Sequence, residues 1–385
     1  MRASLPRPTP LDRIASLARR GERLVAGVLS GTSADGVSVA LVRIRGAGPG
    51  AEVRVVRTGA RRYPRGLAAA LLRAPFLEAP EIARLSLAVA DAFAAAVRGS
   101  TRGGSRLDLV GSHGQTIFHG GASGTLQIGE GDRIAERLRV PVVSDFRQRD
   151  VAAGGEGAPL TPYADFVLFG GRAGRAVLNL GGIANLTILG RSLEEVRGFD
   201  TGPANMVSDG LVAAAGGKKR FDAGGRLALR GRVLGDLLRW MLAHPFVRRR
   251  PPKSTGREEF GEPFLRALLQ RAPRARPEDL LATAAEFTAA TVALSIKRFL
   301  PARLRPSEIL VAGGGVRNAA LLRALRRRLA PASVRSTAVA GIDPLAREAV
   351  AFAILANDAV AGLPTSLPAV TGARRAVTLG KLSFP

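Results

Sequence analysis

Carboxylates stand in or beside glycine-rich polar loops along this chain: Asp35, Asp145, Asp150, Glu156, Asp200, Asp209 and Glu348. Such loops suit phosphoryl transfer to an alcohol, which needs positioned phosphates, a divalent metal and a carboxylate base near the attacking oxygen. Asp200, in GFDTGPAN between a strand and a glycine turn, is best placed to be that base. Taken alone, an Asx turn or a helix cap is the commoner use of such an aspartate. The candidate phosphate turn is SGTSADG, where Ser30, Gly31, Thr32, Ser33, Asp35 and Gly36 separate two apolar strands. Two residues would close a hairpin, so the extra ones make either a long self-bonded turn or a cradle of N–H groups and hydroxyls for an anion. His113, in GSHGQT, suits a ligand, a substrate donor or a packed polar residue. KSTGREEFG (253–261) reads as a capped helix start or, through Lys253 and Arg257 beside hydroxyls, as an anion site.

The elements that must position these residues follow from periodicity. Glycine-rich loops at 30–36, 111–116, 181–185 and 312–318 each follow an apolar strand. In open α/β sheets such strand-end loops converge on one cleft. Strand pairs are expected over 25–45 and 52–57, a helix over 79–99, a strand over 107–119, and a short helix and strand over 134–146. Glycine and proline break the pattern at 150–163, and strands and helices then alternate from 175 to 360. Interleaving of this kind defines an α/β protein. Each half opens with antiparallel strands around a polar glycine loop, which points to two related lobes. No GxxxxGK[ST] is present, and AGGGVRN (312–318) lacks GxGxxG spacing, so neither a Walker-type site nor a Rossmann redox site is supported. Residues 1–23 read as a basic amino-terminal extension, partly helical from Leu11, without site chemistry.

Composition narrows the function further. The 385 residues are 46% apolar, with 46 Gly and 24 Pro, as in a globular protein with more than one core. Absence of cysteine excludes disulfides, a thiol nucleophile and cysteine-ligated zinc, and three histidines leave little for other zinc sites. A formal charge of +26 raises the question of a polyanionic partner. Yet the charge is almost all arginine, scattered or on helix faces, and aromatics are only 5%, so the interleaving of nucleic-acid modules is missing. A solvated basic surface is the better reading, and a nucleic-acid partner is not expected. No apolar run approaches the roughly 20 residues of a membrane span, and the first residues lack a secretory signal's apolar middle. A cytoplasmic protein is expected.

In order along the chain, SGTSADG (30–36), GSHGQTIFH (111–119), TLQIG (125–129), DFRQRDVAAGGEGAPLTP (145–162), LNLGGIANLT (178–187), GFDTGPANM (198–206), PKSTGREEF (252–260), AGGGVRN (312–318), REAVAFA (347–353) and VTGARRAVTLGKL (370–382) resemble the anhydro-N-acetylmuramic acid kinases. These belong to the sugar kinase, heat-shock and actin-type ATPase superfamily. The resemblance runs from about Gly27 to Leu382. It implies a two-lobe actin-like ATPase fold with ribonuclease H-like lobes and ATP and sugar in an interlobe cleft, usually in a homodimer. The expected division is 24–149 with 366–385 as the first lobe, carrying the phosphate loop, and 150–365 as the second. The implied reaction opens the 1,6-anhydro bridge with water while O6 receives the γ-phosphate, giving N-acetylmuramic acid 6-phosphate in cell-wall sugar recycling.

That resemblance also distributes roles. Asp200 matches the catalytic aspartate that deprotonates water. Ser30 to Gly36, with Gly181 and Gly182, would hold phosphates, and Gly313, Gly314 and Gly315 would lie near the adenosine or α-phosphate. Arg149 and Glu348 are expected at the sugar, with His113 and Gln115 shaping its pocket, and Asp35 is the expected Mg2+ residue. Three departures stand out. Ser38 replaces a carboxylate in DGVS, which weakens the expected metal site and leaves Asp35 to compensate. Ala204 in GPAN stands where Gly would permit positive φ. Glu156 replaces a glutamine in GEGAPL. Two other functions compete: a kinase of the same superfamily acting on an ordinary hydroxyl, and a degenerate ATP-binding or basic nucleic-acid-binding protein.

Overall fold

The computed structural model describes residues 9–31, 34–101, 106–216 and 220–385. Thr32 and Ser33 of the expected phosphate loop lie outside the described residues. The chain forms two compact units, Met1–Leu168 with Glu348–Pro385, and Phe169–Arg347.

The first unit is built on strands β1 (Glu22–Ser30), β2 (Gly36–Arg45), β3 (Glu52–Arg62), β4 (Leu109–His119), β5 (Thr125–Ile128) and β6 (Val142–Ser144). The second carries β7 (Arg175–Leu180), β8 (Ile183–Leu189), β9 (Arg197–Pro203), β10 (Glu308–Ala312) and β11 (Ser333–Ser336). The last strand, β12 (Lys381–Ser383), returns to the first sheet beside β6. The sheet orders are β12-β6-β4-β1-β2-β3, with β5 on the end of β4, and β11-β10-β7-β8-β9. In each sheet the first three strands run antiparallel, and the first strand then pairs in parallel with a later one that pairs in parallel with the next. Apart from β5 and β12, both sheets therefore have the same strand connectivity, that of the ribonuclease H-like lobe of actin-type ATPases.

Sequence explains the placement. β1 (ERLVAGVLS) is buried at every position after Glu22, as a strand between two partners and under a helix must be. Its Gly27, and Gly111 of β4, are contact points rather than turns. A Cβ would stand 1.8 Å from the Ala349 carbonyl oxygen at Gly27 and 2.2 Å from that of Phe352 at Gly111. The helix Arg347–Val360 thus lies directly on the two strands, and that approach places Glu348, in its first turn, close to the sheet. On the other face Leu24, Val28, Val39, Phe93, Val110 and Ile134 form the core.

In the second unit Leu178, Leu186, Phe199, Ile309, Val311 and Leu325 form one core and Leu211, Met241, Phe246, Phe260, Phe264 and Phe287 another. The helix Pro277–Phe299 borders both. By length and composition it would cross a membrane, but 83% of its most apolar window is buried inside the unit, as in a core helix. Its Glu286 is buried and paired with Arg327 and Arg328.

Two boundaries differ from the sequence expectation. The units divide at 168 and 348 rather than at 150 and 366, because the 150–163 loop folds back onto its own helix. Asp150 accepts hydrogen bonds from the Gly157 N–H at 2.9 Å and the Thr371 hydroxyl at 2.8 Å. The amino-terminal segment is also built in. Helix Pro10–Ala18 is capped by Thr9, and buried Arg23 donates to the carbonyls of Leu17 and Ala18 and to Asn357.

Candidate active site

Asp200 sits on β9 opposite Asn185 of β8. Its N–H points away from β8, donating to the Lys253 carbonyl at 3.1 Å. The pair is therefore a non-hydrogen-bonded one, the type that brings facing side chains closest. Accordingly Asn185 Nδ2 donates to Asp200 Oδ1 at 2.8 Å, while the Thr255 N–H donates to Oδ2 at 2.9 Å. Burial raises the carboxyl to about 6, outweighing the downward pull of Asn185, the Thr255 N–H and the Lys253 ammonium, while Glu258 adds to the rise. A carboxylate in that range is mostly ionised at neutral pH yet basic enough to take a proton from a hydroxyl or water as it reacts.

Lys253 fixes the segment that covers β9. Its ammonium donates to the Phe246 carbonyl at 3.2 Å and lies 4.4 Å from the Phe246 ring centre and 5.0 Å from that of Phe299. Burial, with Arg249 nearby, lowers it to about 8. The KSTG motif, ambiguous as sequence, thus closes over Asp200.

Other glycine loops of this unit converge beside the β7–β8 turn. Gly181 and Gly182 make that turn, and their carbonyls accept from the N–H groups of Asn205, Ala204 and Met206. Asn205 Nδ2 donates to the Gly181 carbonyl at 2.8 Å. Gly313 has φ +82° and a Cβ there would stand 2.8 Å from the Leu180 carbonyl, so the 313–315 loop packs against the same turn. Gly314 has Asn205 Nδ2 near it. Ala204 has φ −113°, whereas Gly202 carries φ +150°. The positive φ of this segment therefore falls at 202.

In the first unit Ser30 ends β1 in register with Gln115 of β4. Gln115 Nε2 donates to the Gly31 carbonyl at 3.2 Å, and Asp35 accepts the Tyr63 N–H on its carbonyl just before Gly36 opens β2. Among the described residues, Ser112 Oγ and Gln115 Oε1 are buried without a hydrogen-bond partner, whereas Ser30 Oγ faces the Tyr63 hydroxyl. Orphaned polar atoms on β4 beside the end of β1 fit a polar ligand.

His113 is buried between Phe352 and Arg147. Arg147 Nε donates to His113 Nε2 at 3.1 Å, and the other ring nitrogen, assigned as N–H on that ground, donates to the Gly114 carbonyl at 3.1 Å. Burial, reinforced by Arg147, holds the imidazole neutral, well below the usual histidine range. It can position Arg147 but has no proton to exchange near neutrality. Burial likewise lowers Arg147 to about 10, opposed by Glu348 and Asp150. Glu348 is half-buried, and the structure associates it with Arg147; Arg149 is exposed on the same short helix, Phe146–Ala152. Glu156 is also exposed, where it accepts from the Ala122 N–H at 3.2 Å.

Asn185, Thr255 and Arg147 were missed in the sequence reading. Asn185 is one of two polar residues, with Thr187, in a mostly apolar strand, which was a usable signal; Arg147 sits in a run of charge that hides it.

Comparison with known proteins gives the family of the chain. Residues 23–385 match the family model described as anhydro-N-acetylmuramic acid kinase. The chain is 45% identical to the anhydro-N-acetylmuramic acid kinase of Gloeobacter violaceus over 372 residues, 93% of this chain and 97% of that one. It is 42% identical to that of Salinibacter ruber over 407 aligned residues, 97% of this chain and all of that one.

Proposed function

The chain belongs to the anhydro-N-acetylmuramic acid kinase family, a phosphotransferase family of cell-wall sugar recycling, and from that membership we propose how its residues divide the reaction. Asp200 takes a proton from water, whose oxygen attacks C1 of 1,6-anhydro-N-acetylmuramic acid. The C1–O6 bond breaks, O6 takes the γ-phosphoryl group of ATP, and ADP and N-acetylmuramic acid 6-phosphate leave. The proton on Asp200 passes to solvent. The phosphoryl group thus serves as the electrophile that an acid would otherwise supply to the leaving oxygen. The observation that carries this reading is a carboxylate held at both oxygens and raised to about 6 in the middle of β9.

The turns at 30–36 and 181–182 serve the phosphates, and the unpartnered Gln115 Oε1, in register with Ser30, supports the first of these. Gly313 to Gly315 serve the nucleotide. Glu348 and Arg149 bind the sugar, with Arg147 and neutral His113 setting its polar wall and Gln115 bracing the loop at Gly31. Among the described residues no cluster of three metal-ligating side chains exists. That suits Mg2+, which keeps most of its water and rides on the nucleotide phosphates, leaving the protein to supply one or two carboxylates. Asp35 would hold it, with Ser38 lending no second charge, and the ion would neutralise phosphate charge. The enzyme acts as a cytoplasmic homodimer on a small amino sugar and ATP, as the family resemblance implies.

The pH dependence of turnover tests the assignment. With ATP, Mg2+ and the anhydro sugar, kcat/KM falls below a pH of about 6 as Asp200 protonates, the raised carboxyl putting the limb there rather than near 4. A flat profile down to pH 5 would contradict it.

A further inference from the structure

Thr255 is tied to the candidate base by its backbone, yet its side chain is unaccounted for. Its N–H donates to Asp200 Oδ2 at 2.9 Å. Its hydroxyl oxygen is buried, and among the described residues it has no hydrogen-bond partner. Covalent geometry keeps that oxygen within about 7 Å of Oδ2, and one water bridges the two wherever they stand within two hydrogen-bond lengths, about 5.5 Å, of each other. Buried hydroxyls are almost always satisfied, so one left over beside a reactive carboxylate points to a ligand atom.

The surroundings make this hydroxyl a rigid one. Lys253, two residues earlier, is anchored between two aromatic rings and through its own carbonyl to the Asp200 N–H. Thr255 is β-branched, so few rotamers are open to it. Each Asp200 oxygen already accepts one hydrogen bond and has a lone pair to spare.

We propose that the Thr255 hydroxyl and Asp200 together hold the water that attacks C1, Asp200 accepting its proton and Thr255 fixing its oxygen. The inference rests on Asp200 being the base and adds a second, uncharged contact to the nucleophile. Water O–H passes one proton to Asp200 as its oxygen bonds to C1; Thr255 keeps its own proton throughout. A contact to the nucleophile acts on the chemical step, so its loss appears in kcat and leaves binding intact.

The test is steady-state kinetics of the full chain with ATP, Mg2+ and the anhydro sugar. Thr255→Val is expected to lower kcat about 10- to 100-fold, with KM for both substrates within about twofold. Thr255→Ser, which keeps the hydroxyl, is expected within about threefold of the parent. The acid limb stays near pH 6 in both, because the backbone N–H that steadies Asp200 remains. Should Thr255→Val not fold, Thr255→Ala is judged by the same criteria. A Val or Ala variant with unchanged kcat, an effect confined to KM, or a Ser variant as impaired as Val would each overturn the proposal. Asp200→Asn separates the two readings. If it is inactive while Thr255→Val is unimpaired, only the Thr255 inference falls; if it is fully active, the base assignment falls and takes the inference with it.

Discussion

Strands β3 and β9 hold the same position in sheets of the same connectivity, and they have opposite fates. Each is the outer strand of the antiparallel trio. β3 (EVRVVRTGARR) is mostly exposed along its length, with arginines on the open side. That is a usual way to keep an edge from pairing with other chains. β9 (RGFDTGP) is mostly buried, because the segment around Lys253 and Thr255 lies over it and receives the Asp200 N–H. Covering the edge removes water from one carboxylate and supplies it with the Thr255 N–H, which joins the Asn185 amide of β8. The lesson is that a shared topology offers the same edge strand twice, and the local cover decides which one holds a carboxylate with a raised pKa.

Variants can break that contrast, beginning with the strongest. Asp200→Asn keeps the shape of β9 and removes the base, so kcat is expected to fall about 10³-fold in a coupled ADP-release assay. Asn185→Ala removes a donor that stabilises the ionised carboxylate. The Asp200 carboxyl then rises above about 6, the base stays protonated to higher pH, and the acid limb of kcat/KM moves up by about one pH unit. Asp209, which burial also raises to about 6, is not bonded to Asn185, so this shift assigns the limb to Asp200. Lys253→Met removes a nearby cation and raises the same carboxyl less, with a limb shift of about half a unit and a lower melting temperature. At the open edge, Arg54→Ala is expected to leave kcat/KM unchanged and stability within about 0.5 kcal/mol by denaturant titration.

Much of this was legible in the sequence, and the reasons for the remainder are physical. Strand and helix alternation and the glycine loops are local signals, readable because periodicity and turn chemistry act over a few residues, whereas Asp200 stands out only through the family resemblance. The partners of Asp200 are not local. Asn185 meets it through strand register, and Thr255 through a segment more than 50 residues away whose own motif admitted two readings. The same holds for His113, whose neutral state rests on burial and then on Arg147, 34 residues on. The 150–163 loop looked like a boundary because glycine and proline break the pattern, but buried Asp150 draws it back into the first unit. At position 204 the loss of glycine suggested an altered turn, and only the backbone angles place the positive φ at Gly202 instead.

The central claim, that Asp200 activates water and not a sugar hydroxyl, is tested most directly by mass spectrometry of the product formed in oxygen-18 water. Purified chain with ATP, Mg2+ and anhydro-N-acetylmuramic acid is expected to yield a phosphosugar with its phosphate on O6 and one heavy oxygen at C1, and Asp200→Asn is expected to yield almost none. A phosphosugar without the label, or labelled product formed at the parent rate by Asp200→Asn, would contradict it.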